Sequence, residues 1–259
     1  MSSANIDTFR NTLTTHLDWF AARNLSVSFW WRDDDAVEPT AALDLLIGLS
    51  NAYDVELALA VIPNKATNAL AKRVADEPNV VVLQHGFCHR NFQFREIEER
   101  SAEFGTRRNP DEAIADLSIG AAQLHDLFGE KFLPVLVPPW NRIAPAIASR
   151  ICQAGLFGLS TFTSRYPYQR RQLQTHIDII NWQHGRCFIG WRYVTCCFDL
   201  QLARRRTNAA EPIGVLTHHL VHDHASFDFL NGFLEVARSH PGACFPKIAD
   251  LVHSCTTTS

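Results

Sequence analysis

Short apolar runs alternate with helical patterns along most of the chain, and this alternation restricts the folds that the chain can adopt. The apolar runs have the length of strands and lie at 27–32, 56–62, 79–84, 132–137, 156–161 and 213–218. Continuous apolar runs are typical of parallel strands that are buried on both faces. The helical patterns lie at 5–23, from Pro39 onward, and at 65–76, 110–128, 143–154 and 226–239, whereas 165–211 indicates short strands and loops. We therefore predict an α/β fold, and we favour a single parallel barrel over an open doubly wound sheet.

Size, charge and cysteine usage narrow the class of protein. No linker divides the 259 residues, so we expect one domain over 1–259, and 46% hydrophobic residues suffice for a core. A net charge of −3 offers no basic surface for nucleic acid, and no apolar stretch is long enough to span a bilayer. The start of the chain lacks the pattern of a secretion signal, and the seven cysteines contain no CxxC pair. These features predict free thiols and a cytoplasmic protein.

Polar clusters follow four of the predicted strands, at the strand ends where parallel α/β folds carry their active sites. The first cluster is Arg32-Asp33-Asp34-Asp35. Three adjacent carboxylates repel one another, and a nearby cation would relieve that repulsion. Taken by itself, this run could equally be a surface turn or the N-cap of the following helix.

A pair of histidines follows the strand at 79–84. His85 and His89 are four residues apart, so in one helical turn both imidazoles would face the same side. This spacing is familiar for two ligands of a Zn²⁺ site, which a carboxylate can complete. The alternative is two unrelated loop histidines.

Two further clusters end the strands at 132–137 and 213–218. In the first, two prolines stiffen the segment and leave the backbone N–H of Trp140 in a fixed direction. The second begins at His218 and holds four histidines within 218–224, and histidine is the usual proton carrier near neutral pH. A rigid turn and a polar surface loop are the respective alternatives.

The joint order of these clusters resembles the polysaccharide deacetylase family (NodB homology, carbohydrate esterase family four) over 27–224. The first motif of the family, an aspartate pair, is matched by Asp34-Asp35, and Ala36 then stands where the family usually has glycine. Asp33-Asp34 is a second register for this motif. The second motif is matched by His85 and His89. The resemblance implies a distorted, TIM-like (β/α) barrel of about seven parallel strands.

The later motifs match the family with several departures. In chain order, the matches are Pro139-Trp140, Asp178-Ile179-Ile180-Asn181-Trp182, and Leu216 with His218. Val137 replaces the arginine of the third motif, which normally steadies the catalytic aspartate, and Arg32 or Arg142 could take over that task. Asn181 replaces the second aspartate of the fourth motif, and Gly86 replaces the usual Ser or Thr of the second. These departures indicate a divergent branch and leave glycan specificity more open than the metal site, and the missing secretion signal indicates that this branch is cytoplasmic.

The resemblance implies a metal-dependent amide hydrolase. Asp35, His85 and His89 would hold a divalent metal, with Zn²⁺ as first choice and Co²⁺, Ni²⁺ or Fe²⁺ as alternatives for nitrogen and oxygen donors. Asp34 would be the general base toward the attacking water, and His218 the acid that protonates the leaving amine. The backbone N–H of Trp140 would help to stabilise the oxyanion. The remaining assignments are substrate binding by Trp140, Asn141, Arg142 and Trp182, and support of the site by Arg32, Asp33 and Asp178.

The expected function is removal of an N-acyl group, most simply N-acetyl, from a sugar or glycan intermediate. The expected partner is a small-molecule or oligosaccharide substrate, with no nucleic acid and no membrane span, and the sequence leaves the oligomeric state open. Two alternatives stay open. The same metal site could hydrolyse a small non-sugar amide or imide, or the chain could be a degenerate carbohydrate-binding protein that kept the fold. The loss of the third-motif arginine favours the degenerate protein, and the retained metal ligands, base and His218 oppose it.

Overall fold

The computed structural model describes residues 3–94, 99–163 and 171–254. The strands in these ranges are β1 (Val27–Ala36), β2 (Leu57–Val61), β3 (Val80–His85), β4 (Phe132–Val137), β5 (Gly158–Leu159), β6 (Ile177–Asp178), β7 (Ile180–Asn181), β8 (Cys187–Phe188), β9 (Ile213–Thr217) and β10 (Ala243–Cys244). The helices are α1 (Ser3–Ala21), α2 (Ala41–Tyr53), α3 (Asn68–Val74), α4 (Pro110–Phe128), α5 (Pro145–Ala148), α6 (Trp191–Arg205), α7 (His224–Ser239) and α8 (Ile248–Ser254). Short 3₁₀ turns lie at Pro63–Lys65, Gly129–Lys131, Pro139–Asn141, Ile151–Ala154 and His219–Val221.

The main sheet has the strand order β5-β4-β3-β2-β1-β9-β6, and β10 pairs with β1. The seven strands of this order are parallel, as expected for a NodB-type α/β fold, so the predicted fold class is confirmed. Strands β7 and β8 form a separate antiparallel pair. None of the helices in the described ranges combines the length and the apolar character that crossing a bilayer requires.

The chain divides into two compact units. The first contains Met1–Arg32, Thr40–Leu57 and Thr175–Lys247, and the second contains Asp33–Pro39, Ala58–Gln174 and Ile248–Ser259. The expectation of one domain over 1–259 stays a prediction.

Aromatic side chains fill the core of the first unit. The rings of Phe198 and Phe229 both meet Phe9 of α1 edge to face, each with its centroid 5.3 Å from that ring. Phe29 of β1 makes a similar contact with Phe233 of α7 at 5.3 Å. Such pairs add stabilisation of about 0.5–1.5 kcal/mol each beyond the burial of their area. They hold α1, α6 and α7 together with the beginning of β1.

The second unit places the ends of β3 and β4 side by side. These strands pair in parallel, and the register sets His85 opposite Val137. Helix α4 packs on both strands, and Asn109 caps it by accepting hydrogen bonds from the N–H groups of Asp111 and Glu112. The carboxyl ends of parallel strands meet at one edge of a sheet, so the residues that follow β3 and β4 emerge close together.

Three element predictions differ from the structure. The helix α6 lies inside 165–211, where the sequence predicts only short strands and loops, because its buried face includes the polar residues Gln201 and Arg205. The helix predicted at 143–154 is broken into α5 and a 3₁₀ turn. The first strand runs on to Ala36, so the acidic run belongs to β1 itself.

Candidate metal centre

The acidic run lies at the end of β1, and two of its three aspartates are buried. Asp33 and Asp34 are 0% and 2% exposed, whereas the side chain of Asp35 keeps 29% of its surface. Asp35 has a positive φ of 75°, a conformation that a non-glycine residue adopts only at a cost. Asp35 is also the residue at which the two aspartate registers of the first motif differ.

His85 is oriented by the neighbouring strand. Its Nδ1 lies 3.0 Å from the carbonyl oxygen of Val137, which is also the residue at the third-motif arginine position. A carbonyl oxygen only accepts, so Nδ1 donates and carries the ring hydrogen. The lone pair of Nε2 is therefore left for another partner, the usual arrangement for a histidine that binds a metal.

Three side chains of the second unit converge on a common point. Oδ1 of Asp35 lies 3.1 Å from Nε2 of His85 and 3.2 Å from Nε2 of His89, and the three ligand atoms all lie within 4.8 Å of one another. Ligand atoms that bind one Zn²⁺ tetrahedrally at about 2.0–2.2 Å lie roughly 3.4 Å apart. The two distances to Oδ1 of Asp35 are close to that value.

The electrostatics of this cluster call for a cation. Nε2 of His85 and Oδ1 of Asp35 are both acceptors in the tautomer that the Val137 contact selects, yet they lie 3.1 Å apart. A shared proton would satisfy that single contact. A divalent ion would satisfy both imidazoles and the carboxylate at once, so the donor set fits a metal. The assignment of these residues as metal ligands stays a prediction.

His85 and His89 come together through a loop, which corrects the helical turn expected from their spacing. Strand β3 ends at His85, and residues 86–90 have no helical structure. Gly86 turns the chain with a φ of 60°, and a Cβ there would lie 2.2 Å from Oε2 of Glu103 and 2.6 Å from the ring of Pro139. His89 has a φ of 56°. Two left-handed residues, one of them glycine, therefore bend the loop back so that His89 meets Asp35.

Sequence analysis missed two side chains that hold this loop. The buried carboxylate of Glu103 accepts hydrogen bonds from the backbone N–H groups of Phe87, Cys88 and His89. The side-chain amide of Gln84 donates to the carbonyl of Gly86. Neither contact has a sequence signature, because both partners are backbone groups that every residue type offers.

Trp140 packs against the predicted ligands. Its ring centroid lies 4.4 Å from that of His89, at an interplanar angle of 53°. Trp140 and Asn141 both have a φ of 56°, and the turn is closed by hydrogen bonds from the N–H groups of Asn141 and Arg142 to the carbonyls of Pro138 and Pro139. The turn itself thus makes no use of the N–H of Trp140. Four of the predicted site residues, Asp35, His89, Trp140 and Asn141, have this costly backbone conformation, which is a common feature of functional sites.

Arg142 stands next to this turn and is half-buried. Its guanidinium donates a hydrogen bond of 2.9 Å to the carbonyl of Ser101. This contact ties the turn to the segment that leads into Glu103.

The first unit contains the other predicted site residues. His218 follows β9 directly and is 8% exposed. Its ring meets that of Trp182 edge to face, with 4.6 Å between centroids. The carboxylate of Asp178 accepts from the indole N–H of Trp182 at 2.8 Å and from the backbone N–H of Ile180 at 3.0 Å. Asp178 thereby orients the tryptophan that packs on His218.

The structure shows the local contacts of Asn181 and Arg32, two residues that the sequence singled out. The side-chain oxygen of Asn181 accepts from the N–H groups of Gln183 and His184, so this residue stabilises the turn between β7 and β8. Arg32 is fully buried in the first unit, and its carbonyl accepts a hydrogen bond from the hydroxyl of Thr217. The departure at Asn181 thus has a structural use.

Comparison with known proteins identifies the fold. No protein-family model matches the sequence, and no curated protein matches it. Among solved structures, the chain matches a protein named as a polysaccharide deacetylase from Mycobacterium smegmatis with a TM-score of 0.66 and 12% identity, over 90% of this chain and 91% of that one. It matches a family 4 acetyl xylan esterase from Clostridium thermocellum, in complex with a cobalt ion, with a TM-score of 0.54 and 11% identity, over 88% and 91% of the two chains.

Two further matches bear on catalytic competence. A peptidoglycan N-acetylglucosamine deacetylase matches with a TM-score of 0.56 and 16% identity, over 88% of this chain and 89% of that one. A mutant of a family 4 pseudoenzyme with restored enzymatic activity matches with a TM-score of 0.57 and 16% identity, over 88% and 68%. At these identities the likeness shows the fold. The chain therefore has the fold of the polysaccharide deacetylases, the class that the order of its motifs resembles.

Proposed function

We propose that this chain is a metal-dependent hydrolase that removes an N-acyl group, most simply N-acetyl, from a sugar or glycan intermediate. The observation that carries the proposal is the convergence of Asp35, His85 and His89 within 4.8 Å, in a chain with the deacetylase fold. The matched deacetylases include one that acts on peptidoglycan N-acetylglucosamine, which supports a carbonyl attached to a sugar nitrogen as the reacting group.

The donor set favours a borderline divalent ion. Two imidazole nitrogens and one carboxylate oxygen suit Zn²⁺, Co²⁺, Ni²⁺ and Fe²⁺, and three protein ligands leave room for water and substrate. A matched acetyl xylan esterase contains cobalt. We propose Zn²⁺ as the first choice. When bound, such an ion polarises the substrate carbonyl and lowers the pKa of water.

In this proposal the second unit supplies a side-chain base and a backbone N–H that donates to the oxyanion. Asp34, next to the proposed ligand Asp35 and 2% exposed, takes a proton from the attacking water. The N–H of Trp140 donates to the oxyanion that forms from the substrate carbonyl. The left-handed turn at Trp140 fixes the direction of this N–H before substrate arrives, which is the property that makes such a donor effective.

The side chains of the first unit supply the acid. We assign His218 to protonation of the leaving amine, because an amine leaves readily only when it is protonated. The contact with Trp182, which Asp178 holds in place, keeps the His218 ring oriented. Trp182 itself is 43% exposed, so its indole is available to a sugar ring. Asn141 and Arg142, both half-buried, are proposed to bind polar groups of the substrate.

A reducing compartment such as the cytoplasm is part of the proposal. The six cysteines within the described part of the chain are all free. Free thiols persist in reducing compartments, where structural disulfides are rare. A substrate that is met there is a small intermediate or an oligosaccharide.

One experiment tests the function. The purified protein is stripped with a chelator, reloaded separately with Zn²⁺, Co²⁺, Ni²⁺ and Fe²⁺, and assayed for acid release from N-acetylated sugars, short N-acetylated oligosaccharides and small amides and imides. We expect metal-dependent release of acetate from a sugar substrate. If only small non-sugar amides or imides are hydrolysed, the proposed substrate is a small amide or imide and not a sugar.

The replacement of the third-motif arginine by Val137 favours a second candidate, a binding protein without turnover. A pseudoenzyme of family 4 is among the matched folds. Sugar binding without acid release from any substrate, in the presence of each metal, would establish this candidate, whereas a protein that binds no metal would refute the proposed hydrolase.

A further inference from the structure

We propose that Glu103 is a positioning residue of the metal centre, whose buried carboxylate holds the loop that presents His89. The inference rests on the proposed metal site and adds to it a residue that touches neither metal nor substrate.

The geometry at Glu103 is that of an anion held in a cradle of backbone N–H groups. Oε1 accepts from the N–H of Cys88 at 2.8 Å, and Oε2 accepts from the N–H groups of Phe87 and His89 at 3.3 Å and 3.2 Å. The thiol of Cys88 adds a fourth donor to Oε1 at 3.1 Å. Successive N–H groups that point into one concavity form an anion site, and here the chain supplies its own anion.

Burial makes this contact difficult to replace. Glu103 is 1% exposed, and a carboxylate so far from solvent is costly unless donors surround it. The same three N–H groups would be left without acceptors if the carboxylate were removed, since Gly86 and its neighbours lie outside helix and strand. The loop and the carboxylate therefore stabilise each other.

The backbone at Glu103 is itself held firmly. The next residue, Phe104, is fully buried, forms a parallel bridge with Ile143, and accepts a hydrogen bond of 2.7 Å from the N–H of Ala144 through its carbonyl. Glu103 thus transmits the position of a packed segment to the loop at 86–89. A mobile surface glutamate could not do this.

Other backbone contacts act on the start of the loop, and the His89 ring meets Trp140 and Asp35. Gln84 donates to the carbonyl of Gly86 and to that of Leu117, and Pro139 lies against Gly86. Glu103 is the group that reaches the N–H of His89, four residues after the strand. We therefore expect loss of Glu103 to displace His89 more than His85, whose Nδ1 is held by Val137.

The test compares Glu103→Gln with Glu99→Gln as a matched control. Glu99 also accepts a backbone N–H, that of Phe94, and pairs with Arg107, but it makes no contact with the 86–89 loop. Chelator-stripped wild type and both variants are titrated with Co²⁺ by calorimetry, the visible absorption of the bound Co²⁺ is recorded, and thermal unfolding of the stripped proteins is followed.

In Glu103→Gln an amide N–H₂ meets the loop donors, so we expect the Kd for Co²⁺ to rise by roughly 10–100-fold with a changed spectrum. We expect Glu99→Gln to stay within about twofold of wild type, the effect of a surface contact.

The outcomes separate the inference from the proposed function. An unchanged Kd and spectrum in a folded Glu103→Gln, even with a lowered unfolding temperature, would assign Glu103 to the fold alone and overturn the inference. If Glu103→Gln does not fold, Glu103→Asp decides, because a carboxylate shorter by one methylene cannot reach all three N–H groups. Weaker Co²⁺ binding by Glu103→Asp supports the inference, and wild-type affinity refutes it. A wild type that binds no ion would refute the proposed metal site, and with it the inference.

Discussion

Nε2 of His85 and Oδ1 of Asp35 lie 3.1 Å apart, and in a neutral imidazole whose ring hydrogen points from Nδ1 to the carbonyl of Val137 both atoms are acceptors, so the contact needs a proton or a metal ion. His89 directs a second imidazole nitrogen to the same carboxylate oxygen at 3.2 Å. A cation between these atoms removes the conflict. The chemistry proposed for this chain depends on that cation being a metal ion.

Removal of either imidazole is therefore expected to abolish tight metal binding. We expect His85→Ala and His89→Ala to be isolated without stoichiometric metal, measured by elemental analysis, whereas His125→Ala, at an exposed position of α4, keeps it. In wild type, added metal at about 100 times its Kd should stabilise the folded protein by about 2.7 kcal/mol. Both histidine variants should lose this stabilisation in denaturant titrations. Full metal content in His89→Ala would contradict the proposed ligand set.

Asp34 is expected to be needed for turnover but not for metal binding. In the preferred register, Asp34→Asn loses the base that accepts a proton from water, a loss of roughly 10²–10⁴-fold in kcat. Metal content should stay at the wild-type value, and Asp35→Asn should lose the metal. The reverse pattern, metal lost in Asp34→Asn and kept in Asp35→Asn, would shift the register by one residue and make Asp33 the base.

The limits of β3, β4 and β9 were predicted closely, whereas β1 runs four residues beyond the predicted strand and β5 has two of the six predicted residues. The predicted strand at 132–137 coincides with β4, the one at 79–84 is shifted from β3 by one residue at both ends, and the one at 213–218 ends one residue after β9. A parallel strand buried on both faces is usually a continuous apolar run, so its limits are visible in the sequence, whereas β1 continues through the buried charged residues Arg32, Asp33 and Asp34. Helix α6 was missed because Gln201 and Arg205 lie on its buried face and Gly190 gives its start no side-chain cap.

The candidate site was predictable only where side chains carry the chemistry. The HxxxH spacing singled out the two histidines that the structure brings to Asp35, although a loop rather than a helical turn brings them together. Glu103 had no such signature, because it lies 14 residues from His89 and its partners are backbone N–H groups. Contacts of this kind depend on how the loop folds and become visible only in three dimensions.

Gly86 is expected to tolerate no side chain. An alanine there would combine a φ of 60° with a Cβ 2.2 Å from Oε2 of Glu103 and 2.6 Å from the ring of Pro139. We expect Gly86→Ala to lower the free energy of unfolding by at least about 1–3 kcal/mol and to weaken metal binding, measured by denaturant titration and calorimetry. In the control Gly48→Ala, within α2, the new Cβ meets no atom within 4 Å, so this change should be neutral or stabilise by about 0.5–1 kcal/mol. Equal behaviour of the two variants would mean that the loop adopts another conformation.

Asp223, the N-cap of α7, makes a contribution to the free energy of unfolding that depends on pH. Burial by itself would raise the pKa of Asp223, but hydrogen bonds from the N–H and hydroxyl of Ser226 and from the N–H of Phe188 lower it overall, below the ordinary value of 3.8. Because the pKa is lower in the folded protein, the ionised carboxylate stabilises the fold above pH of about 4, and this contribution is lost as the pH falls through the folded value.

We therefore expect Asp223→Ala to lower the free energy of unfolding by about 1 kcal/mol at pH 7. The difference from wild type should shrink in denaturant titrations below pH of about 4. Asp228→Ala, on the exposed face of the same helix, should change the free energy of unfolding by less than about 0.5 kcal/mol at either pH. A constant difference for Asp223→Ala across this range would show that the charge of the cap contributes nothing.

His218 is expected to act as the general acid, and its neighbour provides the control. Both His218 and His219 are buried, but His218 follows β9 directly and packs against Trp182, whereas His219 begins the 3₁₀ turn after it. Leaving-group protonation depends on one correctly placed proton, so His218→Ala should lose roughly 10²–10⁴-fold in kcat with its metal content unchanged. His219→Ala should lose much less when the rates are compared at equal concentrations of folded protein. Because an amine is a poor leaving group and a better one needs no acid, an N-acyl substrate with an activated leaving group should recover much of the rate in His218→Ala. Equal losses at both positions, or an unchanged rate in His218→Ala, would show that the acid is another residue and that the fifth motif has been misplaced.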